Sequence, residues 1–349
     1  MIDPDDLTAC AATLRTGSRS FAMASLFLPR RVRAPATALY AFCRAADDAI
    51  DLSDDQATAL ALLRGRLDTI YSGTPTNAVD RAFAAVVADF ALPRALPEAL
   101  LEGFAWDVEA RRYDDLPGLI GYAMRVAGTV GVMMALLMGT RDAAMLSSAC
   151  DLGCAMQLTN IARDVGEDAR AGRLYLPLAW LRAEGLDPDA WLAEPCFTPG
   201  LGRVVERLLA EAERLYARAE PGIARLPARC RPAIRAARLL YDGIGKAVGR
   251  AGHDSVSARA VVPMRRKLAL LSGCFLGEAG VLPSPDPASD FLVGAVWPGP
   301  PAARQSSLPP WQHVDDKIGW VVELFARLNE MERVHGRPEH SPADGAAEA

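Results

Sequence analysis

The chain contains no stretch that alternates apolar and polar residues over the length of a strand, and runs of β-branched residues are few. A half-buried sheet needs that period of two, so sheet architectures lose their basis. Metal-binding cysteine pairs are missing as well. The seven cysteines (Cys10, Cys43, Cys150, Cys154, Cys196, Cys230 and Cys274) are odd in number, and none form a CxxC pair. Cys150 and Cys154 have helical spacing but no further N or S ligands nearby, which excludes a structural zinc site and leaves reduced, mostly buried thiols. Basic residues are not in excess: 38 Lys and Arg stand against 43 Asp and Glu, for a net charge of −5. Non-specific nucleic-acid binding is therefore not expected. No Gly-rich dinucleotide fingerprint occurs, and no nicotinamide is expected. The opening MIDPDDLTAC is acidic and lacks the basic-then-apolar order of a secretory leader. The longest uncharged apolar run, Val126 to Thr140, falls short of the roughly 20 residues that span a bilayer. It also holds Gly128, Gly131 and Gly139, and reads as a buried core helix. These features predict a soluble or peripheral protein.

What is abundant is helix-forming sequence. Hydrophobic residues make up 51% of the 349, and alanine and leucine dominate, which favours helices packed on helices. The predicted helices are 32–51, 55–71, 78–90, 95–112, 117–138, 142–164, 202–225, 230–251 and 316–333. Breakers such as Ser72-Gly73-Thr74-Pro75, Leu92-Pro93 and Glu220-Pro221-Gly222 separate them. The predicted organisation is a single catalytic core over 1–276, a Pro/Gly-rich irregular excursion over 277–312, a last helix over 313–334 packing on the core, and a disordered tail over 335–349. The excursion carries Phe291, Leu292, Val293, Val296 and Trp297. Covering the core is the favoured reading of these residues, and contact with a membrane surface is the alternative.

Two acidic motifs stand out: Asp47-Asp48-Ala49-Ile50-Asp51 and Asp164-Val165-Gly166-Glu167-Asp168. Each places two carboxylates four residues apart on one helix face. Gln157 and Asn160 extend the second row; Tyr40 and Arg44 extend the first, with Asp48 a step off its stripe. A DxxxD on a helix is ordinarily a solvated face, and Arg44 and Arg163 read alone are ordinary ion-pair partners. Here the pattern occurs twice, in apolar context, each time with an adjacent arginine. Two facing rows of this kind make an oxygen-only cage suited to Mg²⁺, with Mn²⁺ also acceptable, bridging carboxylates to substrate phosphates. Ser18-Arg19-Ser20-Phe21, Arg173, Tyr175, Tyr241, Arg259, Arg265, Arg266 and Lys267 supply further donors. Metal-held diphosphate is a good leaving group. Its departure into a greasy helical cavity leaves a carbocation that must be kept from water and steadied by aromatic faces. This chemistry belongs to isoprenoid diphosphate enzymes.

At these residues the chain resembles the squalene/phytoene synthase family, most closely its bacterial phytoene-forming members. Three blocks carry the resemblance: Ser18 to Asp51; Tyr122 to Gly131 with Val126-Ala127-Gly128-Thr129-Val130-Gly131; and Leu152-Gly153, Gln157 to Asp168 and Arg173 to Pro177. It extends over about residues 12–275. The resemblance implies an all-α isoprenoid synthase fold around a central apolar cavity, and Mg²⁺-dependent head-to-head coupling of two prenyl diphosphates through a cyclopropylcarbinyl diphosphate. It implies metal ligation by Asp47, Asp51, Asn160, Asp164 and Asp168. It implies diphosphate binding or shaping of the reacting centre by Ser18, Ser20, Tyr40, Arg44, Gln157, Arg163, Tyr241, Arg259 and Lys267. Met124 stands where some relatives carry tyrosine. Ser25 replaces a bulky aromatic pattern of shorter-product relatives, which favours geranylgeranyl diphosphate over farnesyl diphosphate. The expected setting is the cytoplasm at the inner membrane surface, with handover of product to the membrane or to a downstream desaturase. The alternatives are squalene or dehydrosqualene formation from farnesyl diphosphate, and a non-catalytic family member acting as an assembly factor.

Overall fold

The computed structural model describes residues 2–276 and 280–296, all within one unit spanning 1–305. Among the described residues every regular element is helical. The N-terminal group comprises α1 (Pro4–Gly17), α2 (Arg19–Ser25), α3 (Arg30–Asp51), α4 (Gln56–Ser72), α5 (Ala78–Phe90) and α6 (Ala95–Val108). α7 (Leu116–Ala123), a π-helical turn (Met124–Gly128) and α8 (Thr129–Leu137) share one axis, and α9 (Ala143–Arg170) follows. After α10 (Leu178–Ala183) and α11 (Pro188–Ala193) come α12 (Pro199–Arg225), α13 (Arg231–Arg250), α14 (Met264–Leu271) and, past a 3₁₀ turn, α15 (Asp290–Val296).

α9 is the axis of the bundle, with α12, α8 and α13 packed around it. Leu146, Cys150, Cys154, Leu158, Ile161 and Val165 recur every three or four residues and are all buried, a stripe that faces inward at every turn. Each large apolar side chain sealed in this way stabilises the fold by roughly 1.5–3 kcal/mol. α8 and the π turn approach α9 backbone to backbone. A Cβ on Gly131 would lie 2.2 Å from the Ala149 carbonyl oxygen, and one on Gly153 would lie 2.3 Å from that of Ala127. Only glycine permits this crossing, so Gly153→Ala would force the two helices apart.

The sequence reading holds for α3, α4, α5, α12 and α13 to within a few residues. α9 runs six residues past the predicted end at 164, so the whole second acidic motif is helical. α6 stops at Val108, short of 112, where Ala110 takes a positive φ of 48°. α1, α2, α10, α11, α14 and α15 were not anticipated. α1 carries a local signal in Asp3, whose carboxylate accepts the Asp5 N–H ahead of Pro4 at the first turn. The axis Leu116–Leu137 is 22 residues long and apolar enough by composition to cross a membrane, longer than the run counted from Val126. It is nevertheless largely buried in the bundle and carries Arg125 at its middle, as a core helix does. In the described part of the excursion, 280–296, Leu292 and Val296 of α15 are fully buried, and the Ser289 and Ser147 hydroxyls pair at 3.0 Å inside the protein. Leu292 and Val296 cover the core, whereas Phe291 is 41% exposed. The predicted helix 316–333, the tail and Trp297 lie outside the described residues. Five of the seven cysteines are buried and all are free thiols.

Candidate active site

The first acidic wall is the C-terminal end of α3. Arg44 reaches Asp47 at 3.1 Å and Asp48 at 2.6 Å, one turn along its own helix. Asp51, on the last turn, accepts from Arg173 Nη2 at 2.6 Å. Asp47 opens to the mouth on one side yet is hemmed in by protein on the others. Burial, then the like charge of Asp51, push it up to about 6 against the pull of Arg44.

The second wall is the C-terminal half of α9. Asp164 is gripped by two guanidinium forks: Arg163 at 2.7 and 2.5 Å, and Arg259 at 2.8 and 3.1 Å. Arg259 arrives from 95 residues away because Gly166 lets the 255–256 backbone lie against α9. The Gly166 N–H donates to the Ser255 carbonyl at 3.0 Å, and Ser255 Oγ donates to the Ala162 carbonyl at 2.6 Å. A Cβ at position 166 would meet Val256 O at 2.6 Å. Asp168 is half-buried, and burial, then Asp164, raise it to about 7 against the attraction of Arg173.

A third carboxylate, absent from the sequence expectations, joins the walls. Asp107 on α6 accepts from Tyr122 Oη at 2.9 Å and Tyr175 Oη at 2.7 Å. Burial raises it to about 6, although both phenols and Arg173 favour its ionised form. Its charge is felt by Asp47 and Asp168 and it in turn feels Asp51, so it lies within electrostatic reach of both motifs. A single aspartate with no partner at helical spacing gives no sequence signal. Tyr175, noted only as a downstream residue, acquires its role through Asp107.

Tyr40, Gln157, Asn160 and Tyr241 form the floor of the mouth and also line the cavity below it. Tyr241 hydrogen-bonds with Asn160 and Ser18; burial raises its phenol, while Arg163 and these hydrogen bonds pull the other way. Ser18 also caps α2 by accepting the Phe21 N–H at 3.2 Å, which sets Phe21 between Tyr40 and Tyr241 at ring separations of 5.7 and 5.8 Å. Ser20 is half-buried on α2. Lys267 on α14 is half-buried, whereas Arg265 and Arg266 beside it are exposed. Met124 is fully buried in the core.

Beneath the mouth lies a cavity with about 1460 Å³ of atom-free space, the open space at its mouth included. Its walls are nearly all apolar: Leu28, Leu39, Val130, Met134, Leu152 and Ile234 are typical. Ser25 is among them, its hydroxyl turned back onto the Ala22 carbonyl at 2.8 Å, so little bulk projects there.

The acids do not form a ready-made ion cage. Among the described residues no three acidic, histidine or cysteine side chains converge closely enough to hold a metal as they stand, because arginines occupy Asp47, Asp51 and Asp164. The donor set still fits a hard cation. All its atoms are oxygens, and Asp47, Asp107 and Asp168 are all raised, first by burial and then by neighbouring carboxylates, a cost that a bound cation would relieve.

An all-α bundle with an acidic, arginine-laced mouth over a deep apolar cavity defines a protein that holds an anionic head and an apolar tail. The squalene/phytoene synthase family profile matches residues 14–266. Similar proteins include a phytoene synthase of Cereibacter sphaeroides, 52% identical over 85% of this chain and 89% of that one. Another, from Rhodobacter capsulatus, is 54% identical over 85% and 91%, and a 15-cis-phytoene synthase of a Paracoccus species is 40% identical over 81% and 94%. Among solved structures, a dehydrosqualene synthase in complex with ligand superposes with a TM-score of 0.72 at 32% identity, over 77% of this chain and 95% of that one. Squalene synthase HpnC from Alicyclobacillus acidocaldarius gives 0.66 at 27% identity, over 71% and 95%. The chain belongs to the squalene/phytoene synthase family, and is an enzyme of its prenyltransferase type.

Proposed function

We propose that the chain is a phytoene synthase that joins two geranylgeranyl diphosphates head to head, the entry step of carotenoid biosynthesis. One observation carries this reading: the residues that floor the acidic mouth, Tyr40, Gln157, Asn160 and Tyr241, are also the upper lining of the apolar cavity. A diphosphate at the mouth therefore has its tail in the cavity, and its reacting carbon lies at the junction.

Asp47, Asp51, Asn160, Asp164 and Asp168 are the residues that would hold Mg²⁺. When bound, that ion neutralises charge developing on the departing diphosphate. Arg44, Arg163, Arg173 and Arg259 already stand among these carboxylates and can turn from them to diphosphate oxygens as substrate enters. When the C–O bond of the first substrate breaks, its electron pair leaves with diphosphate. The double bond of the second attacks the resulting cation, and loss of a proton closes a cyclopropane that keeps the second diphosphate. A second C–O cleavage, rearrangement and proton loss give the hydrocarbon. Phe21, Tyr40 and Tyr241 offer ring faces at the junction where the cations form, and the apolar walls below exclude water. The hydrocarbon product is insoluble in water, so this reading places the enzyme in the cytoplasm at the inner membrane surface, or against a desaturase that takes the product.

The test is incubation with Mg²⁺ and either geranylgeranyl or farnesyl diphosphate, followed by product analysis. A forty-carbon hydrocarbon from the first, abolished by chelation, is expected. A thirty-carbon product alone would reassign the tail length, and no hydrocarbon from either would overturn the reading. Ser25→Phe should cut the forty-carbon product by about tenfold or more, since an overfilled pocket costs about 1–3 kcal/mol; an unchanged product would remove Ser25 from the determinants of tail length.

A further inference from the structure

Acidic residues are absent from three long segments of this net-negative chain: Leu7 to Ala46, Pro221 to Tyr241 and Ser255 to Leu276. The fold brings parts of all three together away from the acidic mouth. Phe27, just before α3, packs on Phe275 at 6.1 Å between ring centroids. Phe275 and Cys274 in turn share an open hollow with Ala224, Arg231 and Arg235, where α12 meets α13. Arg30, Arg31 and Arg225 are exposed around this junction. Among the described residues, the acid that faces it, Glu220, is already paired with both Arg235 and Arg238 at 2.9 and 3.1 Å, which leaves Arg30, Arg31 and Arg225 as the charges around it.

The same face is greasy. Phe275, Leu276 and Val281 are 56%, 74% and 87% exposed, among the most exposed large apolar side chains of the described residues. Val281 belongs here because the adjacent Gly280 lies against Pro221, one turn before Ala224 on α12. Directly behind the face is the far end of the tail cavity: Leu28, Leu226, Ala233 and Ile234 line it, and they alternate along the chain with the residues of the outer hollow.

We propose that this arginine-flanked apolar face docks the enzyme on an anionic lipid bilayer and turns the far end of the cavity toward the membrane, so that hydrocarbon passes from cavity to lipid without crossing water. The occupant is fixed by complementarity: exposed apolar side chains enter the acyl boundary while the surrounding guanidinium groups meet lipid phosphates. The part concerning product rests on the phytoene synthase reading; docking itself does not.

Flotation of the full chain with phosphatidylcholine vesicles, with and without phosphatidylglycerol, tests it. Binding is expected only to the anionic vesicles and should weaken in high salt. Leu276→Ser with Val281→Ser should reduce binding by at least tenfold. Arg225→Gln and Arg30→Gln should each reduce it about fivefold, the factor given by ~1 kcal/mol per charge at an anionic surface. Turnover of detergent-dispersed substrate should be unchanged in all of them, and Phe291→Ser should bind as the unaltered chain does. Binding indifferent to lipid charge, or retained by the double serine variant, would overturn the proposal. So would a dimer that these substitutions dissociate without any effect on vesicles, which would make the face a contact between copies. An enzyme that floats as expected yet makes no hydrocarbon would sink the functional reading and leave the docking surface standing.

Discussion

The two acidic walls are alike in sequence and built differently in space. On α3, Arg44 comes from the same helix and reaches Asp47 and Asp48 by simple periodicity; any helix with that spacing would form the pair. These side chains are about 40% exposed, and pairs so exposed contribute little stability. On α9, Asp164 is only 16% exposed and holds two forks, one of them from Arg259. That contact requires the whole chain to fold and the backbone at 255–256 to nest against Gly166. Apart from Asp51, which Arg173 reaches from 122 residues away, the first wall is held by local pairs at exposed side chains, whereas the second adds the tertiary fork of Arg259 to a more buried carboxylate. A diphosphate exchanging partners at the mouth meets one side that yields and one side that is pre-set.

The largest expected effect separates the walls by charge. Asp164→Asn removes the charge that faces two arginines and one of the two carboxylate oxygens they and a metal would share. Turnover of geranylgeranyl diphosphate should fall by about a hundredfold or more, the scale of losing a preorganised electrostatic group, while circular dichroism keeps its helical signal. Asp51→Asn, at the exposed end of α3 with Arg173 as partner, should cost about tenfold less on that scale. If the order is reversed, the contrast between a fixed and a yielding wall is wrong.

A smaller effect tests how the second wall is assembled. Gly166→Ala places a methyl carbon 2.6 Å from the Val256 carbonyl oxygen and 2.7 Å from its Cα. Backbone cannot give way as a side-chain tip can, so overpacking of about 1–3 kcal/mol is expected, with a Tm lower by roughly 2–4 °C per kcal/mol. Arg259 should move with its segment, and the KM for substrate should rise. The equivalent position in the first motif, Ala49, meets no such crossing: Ala49→Gly should lower Tm only by the helix-propensity cost of about 0.5–1 kcal/mol and leave KM unchanged.

How far the sequence revealed this site follows the same division. The DxxxD rows, Tyr40 with Arg44, and Gln157 with Asn160 were legible because helical periodicity alone places them. The all-α architecture was legible for the same reason, since long apolar stripes such as that of α9 need no tertiary knowledge. Asp107 was hidden because nothing near it in sequence marks it; Tyr122 and Tyr175, 15 and 68 residues away, define it. The arginines that fill the carboxylate rows could be named but not paired, since Arg259 to Asp164 is a contact of the folded chain. α2 escaped because seven residues are too few to show a period, although Ser18 at its head was singled out for its hydroxyl. The burial of Leu292 and Val296 on α15 follows from the packing that brings Ser289 to Ser147, a contact of the folded chain.

The mildest prediction concerns protons and compares the walls once more. Asp47 and Asp107 are raised to about 6 and Asp168 to about 7, against an ordinary aspartate value of 3.8. In the unfolded chain these groups ionise near 4; in the native chain they hold their protons longer. Between those limits the folded state binds more protons, so the stability they contribute is full below about pH 4 and is lost as pH rises through 6 to 7. The metal-free protein should therefore show a Tm that declines across that window, and Asp168→Asn should flatten its upper part while Asp47→Asn flattens the lower. Mg²⁺ with inorganic diphosphate competes for the same oxygens, so their apparent affinity should strengthen over the same pH range, with the later rise assigned to α9 and the earlier to α3. Isothermal titration at pH 5.5, 6.5 and 7.5 reads this directly. An affinity that does not change with pH would mean that Asp47 and Asp168 stand outside the diphosphate site.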